Sequence, residues 1–334
     1  MAQQPKFIVV IGASAGGLNA LIELVRNLPK NLDATYCIVL HLSRKGIGDF
    51  VVHQLAQYTS IPCKLVKGGE SIERDHIYIA RPNQHLLIKD GKFLLGAGPE
   101  ENRYRPSIDV LFRSAAVTYS TYTIGIVLSG MLDDGTSGMW AIKRCGGACI
   151  VQDPNQSEYP EMPLSVINNM EVDYVVNLED IGPLIADIID KTQGEKTDVP
   201  WDILAESKIA EKTAVGIDDV SKIGEQSIYA CPDCGGGLWV IKNDVITRYR
   251  CHIGHSYSES DLVIKQSKIA GATLWAALRM MEERKHLLRK MEIDNKARGL
   301  THWAEANVEK QGELEGHINM LKSILHDHQN HDTE

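Results

Sequence analysis

Apolar positions at the start of the chain come in short, dense runs separated by periodic ones. Residues 8–11 are an unbroken β-branched run, the pattern of a strand buried on both faces, and residues 18–28 follow with the three-and-four spacing of an amphipathic helix. The same alternation continues for about 190 residues. Further strands are predicted at 36–40, 63–66, 77–80, 123–128, 148–152 and 174–176, and helices at 50–58, 106–119, 138–143 and 181–189. Ser107 is the expected N-cap of the third helix. Residues 86–95 read as a hairpin about Asp90-Gly91, an antiparallel insertion. Strands alternating with helices imply a doubly wound, parallel, Rossmann-like α/β sheet of about six or seven strands.

The pattern then changes. Residues 191–226 are polar and charged and read as a linker, with a weak helical pattern around 203–214. Residues 227–259 form a compact cysteine-bearing module, and 260–334 a polar helical tail. In the tail, Leu274, Leu278, Met281, Lys285 and Leu288 mark one helix, and Leu314, Ile318, Leu321 and Leu325 a second. A helical hairpin is expected, with Trp275 and Trp303 inside its packing. It would serve either as a dimerisation or receptor-docking element, giving a homodimer through the C-terminal helices, or as a hairpin folded on its own ribbon.

Composition narrows the function. A chain of 334 residues that is 43% hydrophobic can bury a full core, and a net charge of -9 lacks the basic excess that nucleic-acid binders use, so no nucleic-acid partner is expected. No apolar run approaches the ~20 residues that span a bilayer, and the N-terminus lacks a secretory pattern, so the chain is not expected to be membrane-embedded and its expected place is the cytoplasm. Four of the seven cysteines, Cys37, Cys63, Cys145 and Cys149, lie in apolar segments, as buried thiols do.

The first strand ends in Ile-Gly-Ala-Ser-Ala-Gly-Gly, where Gly12, Ser14 and Gly16 match the G-x-S-x-G elbow that exposes a nucleophilic hydroxyl. A glycine-rich turn opening a helix also cradles phosphate, so the turn alone leaves both readings open. Ser14, His41 and the pair Asp133-Asp134 each follow a predicted strand of the same sheet, whose carboxyl ends line one edge. A serine needs an imidazole to take its proton, and the imidazole needs an anion to fix its tautomer. Ser14, His41 and one of the two aspartates supply these groups. His53, His76 and His85 lie in a helix or in the less regular middle region and are poorer candidates. The turn carries no lysine and the second strand ends in His41 rather than an acid, so the dinucleotide fingerprint fails.

Through Ile-Gly-Ala-Ser-Ala-Gly-Gly, the strand ending at His41, the segment from Arg105 to Phe112 and the segment from Leu128 to Gly135, residues 8–177 resemble the catalytic domain of the chemotaxis protein-glutamate methylesterases (CheB type). The resemblance implies Ser14 as nucleophile, His41 as base and Asp134 as orienting acid, with Met131 lining the site and its backbone N–H helping to hold the oxyanion. Ala15 stands where the chemotaxis enzymes carry a threonine, which bears on a substrate contact. The implied reaction is hydrolysis of a γ-glutamyl methyl ester on receptor-like helices of a methylated protein substrate, releasing methanol, with glutamine deamidation in some members and no cofactor for catalysis. Typical members carry a receiver domain before the esterase, whereas here the esterase is expected to begin at the N-terminus. The alternative is a non-catalytic signalling adaptor that keeps the fold and uses the crevice only to bind.

Cys231-Pro-Asp-Cys234 and Cys251-His-Ile-Gly-His255 have the spacing of a zinc ribbon, with three thiolates and one imidazole closing a structural tetrahedron. Either His252 or His255 could be the fourth ligand, and the spacing of His255 is preferred. A redox C-x-x-C is the other reading, but it leaves Cys251 and the histidines unexplained. Standalone proteins similar to this one carry such a segment after the esterase, which supports structural zinc.

Overall fold

The computed structural model describes residues 4–41, 48–212 and 216–331, with side chains to residue 326. The chain divides into two units, Met1–Asp261 and Leu262–Glu334. In chain order the elements are β1 (Phe7–Ala13), α1 (Gly17–Arg26), β2 (Ala34–Leu40), α2 (Gly48–Ala56), β3 (Cys63–Leu65), β4 (Ile77–Ile79), β5 (His85–Lys89), β6 (Lys92–Gly96), α3 (Ile108–Tyr119), β7 (Thr123–Val127), α4 (Thr136–Arg144), β8 (Ala148–Gln152), α5 (Glu161–Asn169), β9 (Tyr174–Val176) and α6 (Leu178–Lys191). There follow α7 (Trp201–Ala210), α8 (Ile217–Ile223), β10 (Gly224–Ala230), β11 (Gly237–Ile241), β12 (Arg248–Cys251), β13 (Ser256–Ser258), α9 (Glu259–Ala297) and α10 (Thr301–His331).

Seven parallel strands form the main sheet in the order β3-β4-β2-β1-β7-β8-β9. Both faces are covered, as the unbroken apolar runs require. Ile8, Val10, Val39, Val127 and Val151 pack with Leu111, Phe112, Met139, Ile142 and Val166 of α3, α4 and α5. Phe7, Val9, Ile11, Ile38 and Ile126 pack with Leu21, Leu24, Val51, Leu55, Ile181 and Ile185 of α1, α2 and α6. From β1 the chain steps to β2 on one side and later returns as β7 on the other. That reversal opens a crevice at the carboxyl ends of β1, β2 and β7. The expected hairpin is β5–β6, with Lys89 opposite Lys92 and both Asp90 and Gly91 at positive φ, as a type I′ turn needs.

The expected linker is not one. Helices α7 and α8 occupy about half of 191–226, and Ile209, Val220 and Ile223 form a small core with Trp239 and Ile241 of β11. Its polar composition misleads because its acids are paired: Asp202 accepts both guanidinium nitrogens of Arg144 at 2.8 and 3.0 Å, and Glu206 those of Arg248 at 2.8 and 2.9 Å. The predicted helical pattern 203–214 corresponds to α7, while Ala214 lies outside the described residues. The cysteine module is an antiparallel sheet, β10-β11-β12-β13, belonging to the first unit.

The second unit is the expected helical pair, turning at Gly299 (φ 71°). Leu278, Ile318 and Leu325 are buried together, flanked by Leu274, Met281 and Leu321. Trp275 and Trp303 are 51% and 64% exposed, which corrects their expected place in the packing. Trp275 is one residue off the Leu274–Leu278 stripe, a rotation of about 100° around the helix; Trp303 stands beside buried Ala304 in the same way.

Candidate active site

Backbone hydrogen bonds draw three strand ends together. The N–H of Ser14 donates to Ser129 O (2.9 Å), that of His41 to Ala13 O (3.0 Å) and that of Leu128 to Gly12 O (2.9 Å). Gly12 is required because a Cβ there would lie 2.4 Å from the Ile108 side chain, where α3 begins. The left-handed residue of the turn is Gly16 (φ 69°), not Ser14, so the half-buried serine is presented without backbone strain of its own.

Across the crevice, Ser14 Oγ is 3.3 Å from His41 Nδ1, and His41 Nε2 is 2.9 Å from Asp134 Oδ2. A proton on Nε2 leaves the Nδ1 lone pair facing the hydroxyl. Asp134 is 3% exposed. Its Oδ2 also accepts the Ile108 N–H (2.8 Å), and its Oδ1 accepts Ser107 Oγ (3.0 Å), Asn102 Nδ2 (2.8 Å) and the Asp109 N–H (3.1 Å). Burial opposes its charge, but the hydrogen bond and charge of His41, with the Ile108 N–H and Asn102, outweigh it and hold the carboxyl below its usual value.

Those N–H groups belong to the first turn of α3, so Asp134 caps a helix on the neighbouring element. Ser107 occupies the N-cap position, but its hydroxyl makes no cap bond and is given to Asp134 instead, a correction to its expected role. Asp109 returns the favour: its Oδ1 accepts the N–H groups of Gly135 (3.0 Å) and Gly138 (2.7 Å) at the start of α4. The two helix N-termini are thus capped reciprocally. Asp109, pushed by burial and by the Asp134 charge, rises to about 8.

Of the other predicted residues, Asp133 faces away from the histidine and accepts Ser260 Oγ at 2.7 Å. Ala15 lies in the turn and Met131 is 44% exposed at the rim. Among the described residues, no protein acceptor takes the backbone N–H of Ala15 or of Met131, which leaves two donors for a developing oxyanion. His53 lies in α2; His76 Nδ1 contacts Arg74 O, and buried His85 bridges Ser107 N and Pro99 O.

Three participants were not singled out from the sequence. Asn102 shares its amide between Asp134 and Asp109 (2.7 Å), Tyr104 stacks on His41 with centroids 3.6 Å apart and planes within 6°, and Glu101 anchors a buried ion cluster. Asn102 and Tyr104 sit in an irregular polar segment without periodicity. The signal for the cluster was present in β12, where Arg248 and Arg250 share one face of a strand.

Elsewhere in the same unit, Cys231, Cys234, Cys251 and His255 bring their ligand atoms within 4.8 Å of one another. Cys234 Sγ and Cys251 Sγ are 3.7 Å apart, and Cys251 Sγ and His255 Nδ1 are 3.5 Å apart. A zinc tetrahedron with ordinary bond lengths has edges of about 3.8 and about 3.6 Å. The donor set fits. Hydrogen bonds from Cys251, His255 and Tyr257 outweigh burial and hold the Cys231 thiol below its ordinary value. His252 is outside the cluster, with its ring edge-on to Trp239.

Residues 9–185 match the family described as CheB methylesterase. A Leptospira interrogans protein, provisionally named protein-glutamate methylesterase/protein-glutamine glutaminase, is 40% identical over 177 residues, 53% of this chain and 91% of its own length. A Thermotoga maritima protein named protein-glutamate methylesterase/protein-glutamine glutaminase is 35% identical over 173 residues, 51% of this chain and 50% of that protein. The chain therefore spans about half the length of the latter. The crystal structure of the Thermotoga maritima CheB methylesterase catalytic domain superposes with a TM-score of 0.52 at 33% identity, covering 56% of this chain and 98% of that one.

Proposed function

The chain belongs to the CheB methylesterase family, and from that premise we propose that it hydrolyses γ-glutamyl methyl esters on a protein substrate through Ser14, His41 and Asp134. The observation that carries this reading is the unbroken contact from Ser14 Oγ through His41 to a buried, ionised Asp134. His41 Nδ1 takes the Ser14 proton as Oγ attacks the ester carbonyl, and Asp134 holds the opposite N–H and balances the imidazolium. The N–H groups of Ala15 and Met131 receive the oxyanion. Collapse expels methoxide, which leaves as methanol with the proton from His41. Water, deprotonated by the same nitrogen, then releases the glutamate carboxylate and restores Ser14. Glutamine deamidation follows the same course with ammonia leaving.

The substrate is a methylated, receptor-like helical protein. Among the described residues no helix is long and apolar enough to cross a membrane, which accords with action from the cytoplasm on such a partner. The second unit is a dimer contact through its exposed apolar side chains. No cofactor takes part in catalysis, and Cys231, Cys234, Cys251 and His255 hold a structural zinc with no open position.

Two measurements test these assignments. Ser14→Ala is expected to lower methanol release from a methylated receptor fragment by about a thousandfold or more, and a serine-directed phosphonate to add its mass at Ser14. An unchanged rate, or an adduct elsewhere, removes Ser14 as nucleophile and returns the crevice to a binding role. The purified protein is expected to hold about one equivalent of zinc, lost in Cys231→Ser; a protein that folds with none would leave the four donors a redox or empty cluster.

A further inference from the structure

The segment from Glu100 to Tyr104 links the cysteine module to the triad. Asn102 and Arg103 are both at positive φ, 51° and 65°, although neither is glycine. Such a pair persists only where its surroundings over-determine it. What holds it comes from the module. Asn102 N–H donates to Ser256 O at 2.9 Å, and Ser256 N–H to Glu100 O at 3.4 Å. The Glu101 carboxylate accepts both terminal Arg250 nitrogens, at 2.8 and 2.6 Å, and its Oε2 also accepts Arg113 at 2.7 Å. Arg250 and Ser256 are the immediate neighbours of Cys251 and His255. Two of the four clustered donors thus adjoin the residues that grip the segment.

We propose that Glu101–Tyr104 is an active-site strap set by the cysteine module, with Asn102 and Tyr104 as positioning residues for Asp134 and His41. Asn102 is 2% exposed, and its amide, lying between two carboxylates, fixes Asp134 Oδ1 so that Oδ2 faces the imidazole. Tyr104 backs the other side of His41. Its parallel ring presents a π face that favours the imidazole more once it is charged, so the strap acts in the transition state rather than on substrate binding. Burial raises the Tyr104 phenol above its ordinary value, so the ring stays neutral beside His41. The strap is therefore shared between the two halves of the first unit: one edge is held by β12 and β13, and the other holds the base and the acid.

This inference rests on the triad reading, and its test separates the two. In the full-length protein, Tyr104→Leu is expected to lower kcat for methanol release by about five- to thirtyfold with KM within about twofold, whereas Tyr104→Phe keeps the ring and stays within about threefold of the parent. Asn102→Ala is expected to lower kcat by about tenfold or more. Cys234→Ser is expected to raise amide hydrogen exchange across residues 98–107 by about tenfold or more while leaving β1, β2 and β7 protected, and to slow phosphonate labelling of Ser14 in step. If Cys234→Ser loses the native sheet, Arg250→Lys makes the same comparison, because it keeps the charge and gives up the two-pronged grip on Glu101. Unchanged exchange and labelling in that comparison, or an unchanged kcat in Tyr104→Leu, overturns the strap. A wild-type protein that neither labels nor releases methanol overturns the triad instead, and the exchange measurement still reads whether the module holds the segment.

Discussion

Asp134 and Asp109 are enclosed in the same few ångströms of protein yet titrate in opposite directions. Asp134 collects five donors, one of them His41, and stays ionised, whereas Asp109 bears its neighbour's charge as well as burial and rises to about 8. Asp261, buried and facing Asp133 and Asp134 with Arg103 at 3.5 Å, rises to about 7. An unfolded aspartate titrates near 3.9. A raised carboxyl contributes its stability fully below that unfolded value and loses it as pH climbs through the folded one. The urea midpoint of the wild type should therefore fall between pH 5 and pH 8, and Asp261→Asn should flatten the part of the fall below about pH 7. An equal slope in both proteins would assign the titration to other groups. Ser14 and His41 were legible in the sequence because each directly follows a strongly patterned strand, whereas the strand pattern left Asp133 and Asp134 open and the resemblance chose Asp134, the one that His41 contacts. Asn102 and Tyr104 were not, since their meaning depends on contacts with residues far along the chain and on two left-handed backbone positions that carry no glycine.

At the scale of elements, α3 and α4 begin beside each other and exchange caps, so the segment from Arg105 to Phe112 serves the site without touching the nucleophile. Local rules placed Ser107 at the start of α3 correctly and misjudged where its hydroxyl goes, because a tertiary acceptor, Asp134, outbids the local N–H groups. The seven strands and the hairpin were readable from apolar runs and Asp90-Gly91. Of the helices of 191–226, α7 left only the weak pattern at 203–214 and α8 was not read, because the charges of the segment are consumed in ion pairs that no window of sequence reveals. Glu206 faces Arg113, Arg248 and Arg250 at 6% exposure, and burial of its charge is outweighed by those three cations, so its carboxyl lies well below its usual value. Glu206→Gln removes one partner from a buried network and is expected to cost about 3 to 5 kcal/mol of unfolding free energy, measured as a lower urea midpoint. A loss below about 1 kcal/mol would mean that the arginines find water or another acid.

Taken whole, the first unit ends well beyond the family match: residues 9–185 match, yet the partners of Glu101 and Arg113 lie at 206 and 250. A chain ending at 261 is expected to melt and to label at Ser14 as the full-length protein does, and to be monomeric, whereas the full-length protein is expected to dimerise. One ending at 190 should melt lower, because Glu101 loses Arg250 and Arg113 loses Glu206. Equal melting temperatures for all three would show that the cluster adds nothing to stability, and equal molar masses per chain would remove the helical pair as the dimer contact.

The separation of Glu101 from Arg250, 149 residues, also has a meaning in time. At about 5–20 residues per second, a ribosome needs on the order of ten seconds to travel from one to the other. For most of that interval Ser14, His41 and Asp134 already exist on the emerging chain, while Arg250 and Ser256 do not. A polypeptide released midway through translation therefore carries Ser14 without Arg250, the partner of Glu101.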